Sequence, residues 1–217
     1  MSSTNTLRIT EIFHSLQGES KTVGIPTVFV RLTGCPLRCQ YCDTAYAFDG
    51  GELMELDAIR EVLEGIGCDY VTVTGGEPLA QPNCLPLLKQ LCDSGYQVSI
   101  ETSGAMPIEQ IDKRVSIVMD LKTPASQEAD KNRYENIAFL KPSDQVKFVI
   151  CDEKDYLWSK AKLDQYDLCA KVSEVLFSPS FEEIEAAQLA EWILRDKLKI
   201  RMQMQLHKQI WGSVEGK

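Results

Sequence analysis

Histidine is scarce in this 217-residue chain, present twice, and lysine and arginine are outnumbered, 23 against 32 aspartates and glutamates. A net charge of -9 argues against a surface made for nucleic acid or an anionic membrane, since both need a basic field. No apolar run approaches the length of a membrane span. The opening segment, MSSTNTLRITEIF, lacks the basic start and apolar stretch of a signal peptide. No repeat, low-complexity tract or linker divides the sequence, so a single domain over residues 1–217 is expected, with 209–217 as a flexible tail. These absences leave a cytoplasmic protein that acts on a small molecule, with neither nucleic acid nor membrane as partner.

What the chain does have is cysteine, eight copies without an export signal, which points to a reducing compartment. Thiols there serve metals or catalysis more often than disulfides. Short β-rich runs alternate with amphipathic stretches. Strands are expected at Thr27–Thr33, Tyr70–Thr74, Gln97–Thr102, Ser116–Leu121, Gln145–Ile150, Glu174–Phe177 and Ile200–Gln205. Several are nearly continuous apolar runs, as for strands covered on both faces. Helices are expected at Leu56–Gly65, Cys84–Ser94, Asp152–Gln165 and Phe181–Lys197, the last with Ser180 as N-cap and Glu182 and Glu183 in its first turn. Gly95 serves as a helix stop. The alternation predicts an α/β fold of mostly parallel strands with helices outside. With too few units for an eight-fold barrel, a partial, incomplete TIM-like barrel is favoured, with chemistry at the C-terminal ends of its strands.

The segment Gly34-Cys35-Pro36-Leu37-Arg38-Cys39-Gln40-Tyr41-Cys42-Asp43-Thr44 follows the first of these strands. Thiolates of Cys35, Cys39 and Cys42 can hold three irons of a [4Fe-4S] cluster and leave the fourth open to a cofactor or substrate. None of Cys68, Cys84, Cys92, Cys151 and Cys169 repeats a ligand spacing. A structural zinc site, with His14 or His207 as fourth ligand, is the competing reading, although such sites usually present cysteines in pairs.

With this spacing, and with the aromatic Tyr41 before the third cysteine, the chain resembles the radical S-adenosylmethionine (SAM) superfamily. That resemblance implies SAM bound to the open iron through its amino and carboxylate groups. It also implies reductive cleavage of SAM to a 5′-deoxyadenosyl radical that abstracts hydrogen from substrate. Thr74-Gly75-Gly76-Glu77-Pro78 reads by itself as a strand-to-helix turn, and equally as the superfamily's glycine-rich motif, with the acid pairing the SAM ammonium. Ser103 in Glu101–Gly104, the trio Asp120, Leu121 and Lys122, and Ser178 before Pro179 stand at strand ends. Members of the superfamily bind the ribose, adenine and carboxylate of SAM there.

A narrower resemblance, to the 7-carboxy-7-deazaguanine synthase family of queuosine (7-deazapurine) biosynthesis, runs from residue 11 to 208. It is carried by Phe13–Glu19, Gly24-Ile25-Pro26, Phe29–Leu32, Cys42-Asp43-Thr44, Thr74–Pro78, Glu101–Gly104 and Gln205–Lys208. It implies a carbon–nitrogen lyase that contracts the ring of 6-carboxy-5,6,7,8-tetrahydropterin with loss of ammonia. Leu16, Gln17, Gly18, Arg31 and Thr74 would meet the substrate. Tyr41, Cys42, Asp43 and Gly76 would hold SAM, and Thr44 would offer its hydroxyl to a Mg²⁺ ion shared with the substrate carboxylate. Arg31 suits that carboxylate as a bidentate fork. The amino-pyrimidine edge of the pterin suits a carboxylate, with Glu101 and Glu19 as candidates. His207 either faces the substrate or is structural.

The family implies a homodimer and a one-electron donor such as flavodoxin or ferredoxin. Here the chain continues past the Gln-x-His-Lys segment to Lys217, which departs from family members that end sooner and leaves a terminal-carboxylate contact unsupported. A glycyl-radical enzyme activase is the nearest enzymatic alternative. A non-catalytic iron–sulfur or zinc-binding module is the alternative from another class.

Overall fold

Alternation along the strands sorts the chain into two surfaces. In the computed structural model, which describes residues 5–216, Val28, Val30, Val71, Val73, Ile100, Ile117, Val146, Phe148 and Phe177 are all essentially buried and share one face of a sheet. Register places Arg31, Thr74, Glu101, Asp120 and Lys147 on the other face. The strands are therefore not apolar on both sides as their composition suggests. One side is covered by helices and the other is polar.

Nine strands make the sheet: β1 (Thr6–Leu16), β2 (Pro26–Leu32), β3 (Glu52–Glu55), β4 (Tyr70–Gly75), β5 (Gln97–Thr102), β6 (Ser116–Asp120), β7 (Gln145–Ile150), β8 (Glu174–Pro179) and β9 (Arg201–Met202). Their order is β3-β1-β2-β4-β5-β6-β7-β8-β9, with β1 antiparallel to β2 and β3 and all later neighbours parallel. The sheet does not close, so the expected partial barrel of mostly parallel strands is what forms.

The α-helices of the described residues are α1 (Leu56–Ile66), α2 (Cys84–Asp93), α3 (Glu153–Tyr166), α4 (Leu168–Lys171), α5 (Ala186–Asp196) and α6 (Leu206–Trp211), with short 3-10 turns along the chain. α1 turns Leu56, Ile59 and Leu63 to the core at helical spacing and stops at Gly67, whose φ of 72° suits glycine. Asp152 caps α3 by accepting from the Asp155 N–H at 2.9 Å.

Three departures from the sequence pattern have physical causes. β1 carries a bulge between Ile9 and Glu11, which breaks its alternation and hides it from a search for period two. Helix α5 begins at Ala186 rather than Phe181, because the Ser180 N–H is tied to Ile150 O at 2.8 Å and Glu182 takes a left-handed φ of 65°. Ser180 is therefore no N-cap. The strand expected over Ile200–Gln205 shrinks to β9, since Gln203 turns its side chain to the Ser20 N–H at 2.8 Å and α6 starts at Leu206.

Residues 17–25 bridge β4, β7 and the start of α6. Leu206 N–H donates to Gly18 O at 3.0 Å, the Lys21 N–H to Gln145 Oε1 at 2.7 Å, and Gln17 Nε2 to Thr72 Oγ1 at 3.2 Å. The loop packs on the polar face of the sheet through side-chain bonds rather than as a further strand.

Candidate active site

The three clustered cysteines leave the top of β2 in a loop that folds on itself. Gly34 N–H donates to Ala47 O at 2.8 Å, and Cys42 N–H to Cys39 O at 3.2 Å. All three thiols are free and half-buried. Burial raises each thiol above its ordinary pKa, Cys39 to about 11, while the Lys122 ammonium pulls all three the other way. At neutral pH they are thiols, so iron binding must displace their protons. Among the described residues no three His, Cys, Asp or Glu side chains converge on a point suited to one metal ion. A cubane spreads its thiolates over separate irons and needs no such point; a single zinc does.

The Gly75-Gly76 turn is laced to this loop. Gly76 N–H donates to Leu32 O at 3.1 Å and Glu77 N–H to Gly34 O at 2.9 Å. A β-carbon on Gly76 would stand 2.3 Å from Gly34 O and 2.8 Å from Cys35 Cβ, so the glycine is required by the cysteine loop itself. Glu77 is fully buried beneath. It accepts from Thr102 Oγ1 at 2.9 Å, Ser103 N–H at 2.7 Å and Leu79 N–H at 3.0 Å, with Ser103 Oγ also donating to it. Its carboxylate pins β5 to the turn.

A cavity of about 520 Å³ opens beside the cysteines on the polar face of the sheet. Asp120 accepts from Lys122 Nζ at 2.8 Å through one oxygen. Its other oxygen is buried without a partner among the described residues, on a residue of the cavity wall, and so has an acceptor position to spare. Burial disfavours the Lys122 ammonium, yet Asp120, together with Tyr41 and Cys39, outweighs it and holds the pKa above the usual lysine value. Together with the three thiols and the open space, this donor set fits a cluster with a charged cofactor bound to it.

Deeper in the cavity, Glu101 accepts from Thr74 Oγ1 at 3.0 Å and Gln17 Nε2 at 3.3 Å. Burial, then neighbouring Glu19, raises its pKa. Glu19 forms an ion pair with Lys147 and accepts from Gln205 Nε2 at 2.9 Å. Asp43 pairs with Lys208 at 2.9 Å, and against desolvation by its surroundings Lys208, the Thr44 hydroxyl and Lys147 together hold the carboxyl below its usual range. Thr44 Oγ1 donates to Asp43 Oδ1 at 2.9 Å.

The cavity wall brings together Cys35, Cys39, Tyr41, Cys42, Asp43, Thr44, Gly76, Ser103, Asp120, Lys122 and Ser178 with Leu16, Gln17, Gly18, Glu19, Arg31, Thr74, Glu101 and His207. Two residues expected to hold SAM lie off it: Glu77, whose acceptor directions are spent on Thr102, Ser103 and Leu79, and Leu121, buried in the core. His207 lines the wall, and burial lowers its pKa. Gln209, Ile210 and Trp211 end α6, and residues 212–216 lie along the cavity; Lys217 falls outside the described residues.

The radical SAM superfamily model matches residues 29–125. A 7-carboxy-7-deazaguanine synthase from Koribacter versatilis is 44% identical over 94% of this chain and 97% of its own length. One from Chlorobaculum tepidum is 43% identical over 98% and 97%. The chain belongs to the 7-carboxy-7-deazaguanine synthase family. Among solved structures, QueE from Escherichia coli superposes with a TM-score of 0.78 over 95% of this chain and 100% of its own, at 22% identity, a likeness of fold. Streptococcus suis SuiB bound to its precursor peptide gives 0.57 over 79% and 46%, at 14% identity.

For a synthase of this family, sequence reading missed Glu11, Tyr46, Lys147 and Lys208. Lys147 and Lys208 each neutralise a carboxylate far away in sequence; no local pattern marks Lys147, and the Gln205–Lys208 segment does not show that its lysine meets Asp43. The aromatic Tyr46, two residues past Thr44, offered only its closeness to the cysteine loop.

Proposed function

We propose that this chain contracts the ring of 6-carboxy-5,6,7,8-tetrahydropterin to 7-carboxy-7-deazaguanine, releasing one nitrogen as ammonia, in queuosine and related 7-deazapurine biosynthesis. The observation that carries this reading is the single cavity in which the cysteine triplet and the Gln17–Thr74–Glu101 cluster face one another. When bound, the [4Fe-4S] cluster and SAM supply an electron and the means of removing hydrogen from C6 of the pterin.

The chain's own residues supply position and exclude water. Cys35, Cys39 and Cys42 ligate the cluster. Tyr41 to Asp43, Gly76, Ser103, Asp120, Lys122 and Ser178 bound the SAM site, with the free Asp120 oxygen accepting a SAM hydrogen bond. Glu101, held by Thr74 and Gln17, accepts from the amino-pyrimidine edge, and Leu16, Gly18, Glu19 and His207 complete that pocket. Arg31 takes the substrate carboxylate. Thr44 offers a hydroxyl oxygen to Mg²⁺, which keeps waters and few protein ligands. A homodimer, a flavodoxin- or ferredoxin-like electron donor and a cytoplasmic setting belong to the same proposal.

Anaerobically reconstituted protein with SAM, dithionite, Mg²⁺ and the carboxypterin should release the deazaguanine acid and ammonia. If SAM is cleaved while the pterin is recovered unchanged, the substrate assignment fails. If one zinc replaces the iron, the radical chemistry fails as well.

A further inference from the structure

We propose that Glu11 is a positioning residue for Arg31, fixing its guanidinium so that the two terminal nitrogens form a fork toward a ligand carboxylate. The inference rests on the reading that the substrate is a carboxylated pterin, and it names what gives the site its preference for that acid group.

The relationship begins with the bulge in β1. Ile9 stands opposite Leu32, whose side chain belongs to the helix-covered face. Residues two apart on a regular strand share a face, so without the bulge Glu11 would also turn toward the helices. The extra residue, Thr10, flips the register, and Glu11 stands opposite Arg31 on the cavity side. Phe13 likewise meets Phe29, their rings stacked at 4.9 Å. A bulge that places one carboxylate on one arginine is a feature of the site more than of the sheet.

Around Arg31 the contacts divide the guanidinium into two edges. Its Nε donates to Glu11 Oε1 at 2.7 Å, and the Tyr46 hydroxyl donates to the same oxygen at 2.8 Å. The guanidinium carbon lies 5.6 Å from the Phe13 ring centre and 5.8 Å from that of Tyr46. Among the described residues the two terminal nitrogens make no hydrogen bond, and Arg31 lines the cavity. With the side edge taken and the aromatic rings limiting rotation, the end-on fork is what remains, the edge that binds a carboxylate through two parallel hydrogen bonds. Glu11 also offsets the arginine charge where its side chain is only 16% exposed, which lowers the cost of holding it there without a ligand.

The test compares two unreactive probes, 6-carboxypterin and 6-methylpterin, bound to the reconstituted holoenzyme and followed by pterin fluorescence. Wild-type protein should favour the carboxylated probe. Glu11→Ala should weaken 6-carboxypterin by about tenfold or more, the scale of a hydrogen bond to a charged group, while leaving 6-methylpterin unchanged. Glu11→Gln keeps an acceptor for Arg31 Nε and should restore most of the preference. Equal weakening of both probes in Glu11→Ala, or no weakening of either, overturns the positioning role. Wild-type protein that binds neither pterin overturns the substrate reading itself, and the positioning role with it.

Discussion

His207 lies directly over Gly18: a β-carbon at that glycine would stand 2.0 Å from His207 Nδ1. The loop after β1 and helix α6 therefore meet through a residue that has no side chain, and the histidine ring fills the space. Gly18→Ala should force His207 aside at a cost of about 1–3 kcal/mol, as for other overpacked sites. Urea denaturation checks this, and Gly18→Ala combined with His207→Ala should recover much of the loss. Unchanged stability in the single variant would show that α6 is not seated on this loop.

Removing Glu77 tests the lacing under the cysteines. Its buried carboxylate receives bonds from Thr102, Ser103 and Leu79, so Glu77→Ala strands several donors. With several buried donors left unsatisfied at about 1–3 kcal/mol each, a loss of about 3 kcal/mol or more is expected, with less iron retained after reconstitution. If only SAM binding falls and stability holds, Glu77 acts on the cofactor rather than on the fold.

Cysteine substitutions should separate into two groups. Alanine at Cys35, Cys39 or Cys42 should abolish the iron–sulfur absorbance. Cys169→Ser, at an exposed thiol, should leave it intact. Cys84→Ala should keep the cluster but lower stability by about 1 kcal/mol, because that thiol is fully buried in the core. Cluster loss from Cys169→Ser would contradict the three-ligand assignment.

Glu101 gives a pH signature. Its folded-state pKa is raised, burial first and Glu19 second, so the folded protein holds this proton more tightly than the unfolded chain. Its contribution favours folding below the unfolded value, about 4.3, and is lost as pH climbs from there through the raised folded value. Glu101→Gln should flatten that decline, read from denaturation midpoints between pH 4 and 8. Parallel curves for the two proteins would mean that Glu101 is not desolvated.

Much of this was legible because the signals are local. Gln97–Thr102 and Gln145–Ile150 announce their strands by composition and by bounding turns, and the cysteine spacing sits within one loop. What stayed hidden depends on distance along the chain. Lys147 meets Glu19 across 128 positions and Gln205 meets Glu19 across 186, separations at which no periodicity survives. β1 escaped notice for the opposite reason: one inserted residue erased a pattern that was otherwise local. The glycines of the Gly75-Gly76 turn were recognised as close-approach residues, but the neighbours they accommodate are the Leu32 backbone for Gly75 and Gly34 with Cys35 Cβ for Gly76.

The polar loop over residues 17–25, which bonds to β4, β7 and α6, closes one side of the cavity with Gln17, Gly18 and Glu19 and makes it a well. Its inner wall is tied through Gln17 to Thr72 and through Lys21 to Gln145, so that side is sealed by hydrogen bonds rather than by a movable flap. Traffic is left to the rim, where the cysteine loop faces α6 and residues 212–216. A molecule that occupies the bottom of such a well has to arrive before anything that sits at its mouth, and it leaves after it.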